Sequence, residues 1–117
     1  MDAGRLVHPD GARNQIEGGI QQAASWTLFE ELQIRNGEVA TTSLEDYRIA
    51  SFQDAIREMD ITFLPAQGFP STGIGEPGSV PVAAAVANAV FEACGVRMRR
   101  LPLTAEAIAE AKRPKTT

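Results

Sequence analysis

The sequence predicts an α+β fold in which about three helices pack on a small, mainly antiparallel sheet of four to five strands. Helical stripes of apolar residues occur in three parts of the chain, and short alternating runs lie between them. An Asn36-Gly37 pair separates two β-compatible runs, which is the strongest short-range hairpin signal. With 117 residues, 44% of them apolar, the chain is predicted to form a single domain with one core.

The first helix is predicted to run from Asn14 to about Leu32. One face carries its apolar residues, which are Ile16, Ile20, Ala24, Leu28 and Leu32. Gly18 and Gly19 lie in its first half, where each costs about 1 kcal/mol relative to alanine. Two explanations stay open for this pair: close approach of a ligand or another backbone, and tight helix packing without a ligand.

The middle of the chain is predicted to be mostly strand. A hairpin over residues 33–42 turns at Asn36-Gly37, and further strands are expected at residues 44–49 and 61–64. Residues 51–59 are compatible with a short helix or with a loop.

Two more helices are predicted in the last third. Ser79 is the expected N-cap of the first, whose stripe consists of Val82, Val86, Ala89, Val90 and Ala93. Gly95 follows where a C-terminal glycine belongs, and residues 96–101 alternate like a strand. Thr104 is expected to cap a last helix that ends near Ala111, and residues 113–117 are predicted to be a disordered tail.

Charge and cysteine content exclude several functional classes. The net charge is −4, with 15 acidic and 11 basic residues, so a nucleic-acid-binding surface is not expected. The single cysteine, Cys94, rules out an internal disulfide framework and is expected to be a small buried hydrophobe. No apolar run approaches the roughly 20 residues of a membrane span, and no signal peptide is recognised, so the predicted location is the cytoplasm. His8 is expected to be a solvated turn residue.

Residues 71–91 contain a literal G-x-G-x-x-G at Gly73, Gly75 and Gly78. A dinucleotide-binding loop requires a strand running directly into it and an acidic residue about 20 positions later. Eight residues separate the nearest predicted strand from Gly73, and arginines occupy the later region. The pattern therefore gives weak support to dinucleotide binding.

Glu76 offers the loop a different role. Glycines precede it and Pro77 follows it, so its carboxylate is free to approach a ligand and act as a general base. The alternative is a surface glutamate just before a helix, stabilised modestly by the helix dipole. Residue chemistry alone favours the surface glutamate.

Two separated segments resemble one enzyme family. Residues 73–104 (GIGEPGSVPVAAAVANAVFEACGVRMRRLPLT) are similar to the C-terminal end of the large, molybdopterin-binding subunit of the xanthine dehydrogenase and aldehyde oxidase family. The branch of isoquinoline 1-oxidoreductase β-subunits is the most similar. Residues 14–32 (NQIEGGIQQAASWTLFEEL) and 36–49 (NGEVATTSLEDYRI) fit the same family in the same order.

The resemblance implies a chemistry and a set of site residues. In the family the glutamate of the G-x-G-E loop is the active-site base, and the matching residue here is Glu76. The glutamine that opens the Q-x-E-G segment contacts the pterin, and Gln15 matches it. Gly18, Gly19, Gly73 and Gly75 would let backbone approach a molybdenum–molybdopterin cofactor, with the cytosine dinucleotide form as one option. No metal ligand is expected among the side chains, because the dithiolene of the pterin holds the molybdenum.

The length departs from the family, whose subunits are several times longer. The resemblance therefore implies a C-terminal fragment or split part of a molybdenum hydroxylase that adds water-derived oxygen to aldehydes or N-heterocycles. Alone it is expected to be inactive and free of cofactor. The implied partners are a larger molybdopterin-binding chain and an iron–sulfur subunit. The alternative is a cofactor-free structural module that forms homo-oligomers through exposed apolar surface.

Overall fold

The computed structural model describes residues 1–113, so residues 114–117 of the predicted tail lie outside the described residues. Within that range the elements follow in the order helix, hairpin, 3₁₀ turn, helix, helix. Their bounds are α1 Pro9–Leu28, β1 Ile34–Arg35, β2 Glu38–Val39, the 3₁₀ turn Phe52–Asp54, α2 Val82–Cys94 and α3 Ala105–Ala111. None of these helices is both long enough and apolar enough to cross a bilayer.

Helix α1 begins five residues before the predicted start. His8 is its N-cap, and the His8 Nδ1 accepts a hydrogen bond of 2.7 Å from the Gly11 backbone N–H. Pro9 suits the first turn, where its missing N–H costs nothing. His8 is exposed, as expected for a turn residue, but its side chain also satisfies one of the free amides at the helix start.

A small core joins α1 to α2. Ala23, Ala24 and Val82 are buried together, and Ile20 and Val86 pack against them partly exposed. Four of these five residues belong to the stripes that the sequence indicates, and the small alanines allow the two helices to approach closely. The core is thin because it contains no large side chain that is fully buried.

The hairpin and both helix caps confirm the local predictions. Asn36 and Gly37 adopt φ of 54° and 83°, as a two-residue hairpin turn requires, and Ile34 pairs with Val39. Gly95 ends α2 in the left-handed conformation, with φ of 73°. The Thr104 hydroxyl accepts a 3.1 Å hydrogen bond from the Ala107 N–H at the start of α3. Helix α2 itself begins at Val82, three residues after the expected cap.

The predicted sheet of four to five strands is wrong in extent, although helices with a small antiparallel sheet remain consistent with α+β. Among residues 1–113 the sheet has two strands, β1 and β2. Residues 44–47 form a turn in which the Ser43 hydroxyl donates to Asp46 at 3.2 Å. Residues 61–64 and 96–101 are irregular. A strand needs a partner along its length, and no described segment pairs in a ladder with these three.

A polar cluster ties the loop after the hairpin to the end of α1. The buried Ser25 hydroxyl donates to Glu30 at 2.5 Å and accepts from the Ala50 N–H at 2.8 Å. The Tyr47 hydroxyl donates to the other Glu30 carboxylate oxygen at 2.8 Å. One carboxylate thus holds two chain segments that the sequence pattern does not connect.

Tyr47 gives this cluster a measurable pH dependence. The hydrogen bond to Glu30, then burial, then repulsion from the Glu30 charge raise the pKa of Tyr47 above its ordinary value of 10.0. The neutral phenol is the favoured form, so the stabilisation is fully present below pH of about 10 and is lost as pH rises through the folded-state pKa. Because the chain contains one tyrosine, tyrosinate absorbance during a pH titration reports this residue alone. We expect Glu30→Gln to lower that pKa; an identical titration curve would contradict the assignment.

Candidate functional site

The loop that carries Glu76 crosses the first half of α1 at a pair of glycines. A Cβ placed on Gly78 would lie 2.8 Å from the Ile16 carbonyl oxygen and 3.1 Å from the Ile16 Cα. A Cβ on Gly19 would lie 3.4 Å from the Ser79 backbone nitrogen. Backbone therefore meets backbone here: a Cβ on Gly78 would clash with α1, whereas one on Gly19 would make an ordinary van der Waals contact with the loop.

Next to this crossing, the Gln15 side chain links α1 to the loop. Its side-chain Nε2 donates a hydrogen bond of 3.1 Å to the Gly75 carbonyl oxygen, across 60 residues of sequence. Glu76 is the next residue, so the three predicted site residues lie together. The sequence suggested this grouping only through the family resemblance, since no local pattern relates residue 15 to residue 75.

Glu76 has a fixed backbone and an exposed side chain. Its carbonyl oxygen accepts hydrogen bonds from the Ser79 N–H at 2.9 Å and from the Ser79 hydroxyl at 2.8 Å. This turn holds the Cα in place while the carboxylate remains accessible to solvent. Ser79, expected to cap α2, instead closes the turn behind Glu76.

A half-open groove of about 600 Å³ lies between α1 and the loop. Its lining includes Asn14, Gln15, Gly18, Gln22, Gly75 and Glu76, with the half-exposed Trp26 at the same wall. Gly18 and Gly75 face open space, because a Cβ on either would meet no atom within 4 Å. The groove is thus lined by amide side chains, glycine backbone and one carboxylate.

Asn14, Gln22 and Trp26 line the groove but were not predicted from the sequence as site residues. The signal was available, because residues 15, 18, 22 and 26 follow helical spacing and share one face of α1. That face carries glycine and amide side chains, so it does not form the apolar stripe that indicates a core-facing helix surface.

A second cavity of about 530 Å³ lies on the N-terminal side of the Gln15–Gly75 contact. It is lined by residues of the N-terminal segment and of the loop, including Arg5, Leu6, His8, Ser71 and Ile74. Gln15 and Gly75 border both cavities. The hydrogen bond between them therefore forms part of the wall of each.

Residues 1–113 contain no group of three or more His, Cys, Asp or Glu side chains that could hold a metal ion. Cys94 is half-buried on α2, where its Sγ lies 3.0 Å from the Val90 carbonyl oxygen. No strand enters the glycine loop, because the one described sheet is the hairpin. The arrangement that a dinucleotide fingerprint requires is not formed in this part of the chain.

Comparison with known proteins gives consistent matches. Residues 1–56 match the sequence profile of a family described as molybdopterin cofactor-binding domain. The chain is 43% identical over 110 residues to one of the subunits of nicotinate dehydrogenase from Pseudomonas putida, covering 94% of this chain and 9% of that protein. It is 35% identical over 115 residues to the xanthine dehydrogenase molybdenum-binding subunit of Escherichia coli O157:H7, covering 93% of this chain and 15% of that protein.

The fold is also similar to that of a solved enzyme. Superposition on quinoline 2-oxidoreductase from Pseudomonas putida 86 gives a TM-score of 0.81 with 32% identity, covering 97% of this chain and 16% of that chain. The chain therefore spans about a sixth or less of the length of each protein that it matches here.

Proposed function

The chain belongs to the molybdopterin-binding subunits of the xanthine dehydrogenase family, and from that premise we propose that it supplies one wall of a molybdenum hydroxylase active site. Glu76 is the proposed general base, and Gln15 and Gly75 are the proposed cofactor contacts. The Gln15–Gly75 hydrogen bond carries the proposal, because it brings these residues to one groove across 60 positions of sequence.

The groove suits one face of a molybdopterin. A pterin is a planar ring with polar edges, and the amides of Asn14, Gln15 and Gln22 can donate and accept along such an edge. The open faces of Gly18 and Gly75 leave room for close backbone approach. When bound, the cofactor supplies the two-electron oxidation of the substrate carbon. Its dithiolene holds the molybdenum, so the chain needs no ligand cluster of its own.

Glu76 would accept a proton during the reaction. Hydroxylation with water-derived oxygen releases protons, and the exposed carboxylate is the acidic group in the groove lining that can accept one. A carboxylate is a stronger base when desolvation removes the water that stabilises its charge. Because Glu76 is exposed in this chain, that desolvation has to come from a covering partner. We therefore propose that the isolated chain is inactive.

The shape of the chain supports a partner. Its radius of gyration is 17.9 Å, against about 13 Å for a compact domain of this length. Its accessible surface is 9104 Å², against about 6,200 Å² for a folded monomer of this mass. Excess surface of this size is typical of chains that form obligate complexes. We propose that a larger molybdopterin-binding chain covers it and that an iron–sulfur subunit removes the electrons.

The names of two relatives support a proposed substrate class. Nicotinate and quinoline, which their names specify, are both N-heterocycles. We propose an electron-poor carbon of an N-heterocycle, or an aldehyde carbon, as the position hydroxylated.

A second candidate is a cofactor-free module that associates with itself. It is favoured by apolar side chains that are almost fully exposed, namely Phe52 at 96%, Val7 at 84% and Leu44 at 80%. Such side chains in water favour burial in some interface, and a second copy of the chain is the simplest partner.

The molybdenum content of the chain, purified gently by affinity from its own cells, separates these candidates. We expect close to one molybdenum per chain, together with a larger co-purifying chain. A homo-oligomer that contains neither metal nor partner would overturn the proposed function and favour the structural module. Size-exclusion chromatography with light scattering on the same preparation gives the copy number in either case.

A further inference from the structure

The N-terminal segment Met1–Arg5 lies along the part of the chain that leads to Glu76. The Leu64 N–H donates to the Met1 carbonyl oxygen at 2.8 Å, and the Thr72 N–H donates to the Ala3 carbonyl oxygen at 3.1 Å. The Ser71 hydroxyl donates to the Arg5 carbonyl oxygen. Backbone contacts thus repeat along the segment, although more than 60 residues of sequence lie between the partners.

Gly4 is the tightest point of this contact. Its φ is 62°, in the left-handed region, and its N–H donates to the Asp2 carboxylate at 3.0 Å. A Cβ at this position would lie 2.2 Å from the Pro70 carbonyl oxygen and 3.2 Å from the Phe69 carbonyl oxygen. Both obstacles are backbone atoms, which cannot rotate away as a flexible side chain can. Only glycine satisfies both the conformation and the space.

The contact restricts where the catalytic loop begins. Two residues, Gly73 and Ile74, lie between Thr72, which is held by Ala3, and Gly75, which is held by Gln15. A chain of that length has little freedom between two fixed points, and Glu76 follows the second of them. We infer that the segment Met1–Arg5 is a positioning element for the Glu76 loop and that Gly4 is its essential residue. The catalytic consequence of this inference rests on the proposed function, whereas the structural consequence does not.

Amide hydrogen exchange of the full 117-residue chain tests the inference. We expect Gly4→Ala to accelerate exchange of the Thr72 amide at least tenfold, without changing exchange of the Gly95 amide at the end of α2. Gly68→Ala is the matched control, because Gly68 has a φ of 82° and no atom within 4 Å of its Cβ position. Equal acceleration in both variants, or none in Gly4→Ala, would overturn the inference.

If Gly4→Ala unfolds the chain, Asp2→Ala tests the positioning role instead. It removes the hydrogen bond to the Gly4 N–H and introduces no clash. Faster exchange at Thr72 with unchanged exchange at Gly95 would support the positioning role. Equal acceleration at both amides, or at neither, would refute it.

Turnover by the completed enzyme separates this inference from the proposed function. If Gly4→Ala loosens the loop and lowers kcat at least tenfold while molybdenum content is retained, both hold. A loosened loop with unchanged kcat would leave the structural part of the inference standing and overturn its catalytic consequence, whereas the base role of Glu76 is tested separately by Glu76→Gln.

Discussion

Replacing Glu76 with glutamine is expected to lower turnover by the completed molybdenum enzyme by about 10²- to 10⁴-fold, the range for loss of a positioned general base. Glutamine keeps the size and polarity of the side chain but cannot accept the proton. The Ser79 contacts to the Glu76 carbonyl oxygen involve backbone and should survive. The loss should therefore appear in kcat, measured under steady-state conditions with saturating substrate, while molybdenum content stays the same.

Glu38→Gln is the control for this substitution. Glu38 is an exposed glutamate on the β2 strand of the hairpin, and it is not among the residues that line the groove. Its replacement changes the net charge equally and should leave kcat within about twofold, because exposed charges far from a site contribute little. Unchanged turnover in Glu76→Gln with full metal content would contradict the assignment of Glu76 as the general base.

Local signals predicted the local structure well. The hairpin turn depends on Asn36 and Gly37 accepting positive φ, and the end of α2 depends on Gly95 doing the same. The conformation of each of these two sites is determined by a few adjacent residues. The helix caps at Thr104 and His8 are equally local, but the His8 cap was missed because imidazole is not among the usual N-cap side chains.

The predictions of further strands were wrong because strand formation depends on residues that are distant in sequence. Residues 61–64 and 96–101 carry suitable side chains, but a strand is stabilised by a neighbour that sequence periodicity does not identify. In the described part of the chain the backbone of the first of these segments makes two hydrogen bonds with Met1 and accepts one from the Arg13 side chain, and it pairs with no strand. An alternating pattern shows that a segment could form a strand, but it does not identify the neighbouring strand that would pair with it.

The glycines show what the family resemblance added and where it was too general. It predicted that Gln15 and Glu76 belong to one site, and they border one groove. It also assigned Gly18, Gly19, Gly73 and Gly75 to cofactor approach. The structure divides these four glycines, since Gly18, Gly73 and Gly75 face open space whereas Gly19, like Gly78, faces backbone. That division depends on how the loop crosses α1, which no local pattern encodes.

Gly78→Ala is therefore expected to destabilise the fold by about 1–3 kcal/mol, the usual cost of forcing an extra carbon into a packed site. Its Cβ would lie 2.8 Å from the Ile16 carbonyl oxygen, so the loop and α1 have to separate. Separation also strains the Gln15–Gly75 hydrogen bond, which lies beside the crossing. Urea unfolding followed by fluorescence measures the loss, because the chain's one tryptophan, Trp26, lies in the groove wall.

Gly73→Ala is the control for Gly78→Ala, because it adds the same carbon to the same loop without a clash. Gly73 belongs to the same loop, lacks a positive φ, and has no atom within 4 Å of its Cβ position. Alanine there should be neutral or stabilising by about 0.4–1 kcal/mol, because it restricts the unfolded chain without a clash. Equal unfolding midpoints for the two variants would mean that the loop does not rest on α1 as the structure places it. In that case the groove would lose its second wall, and the grouping of Gln15 with Glu76 would fail with it.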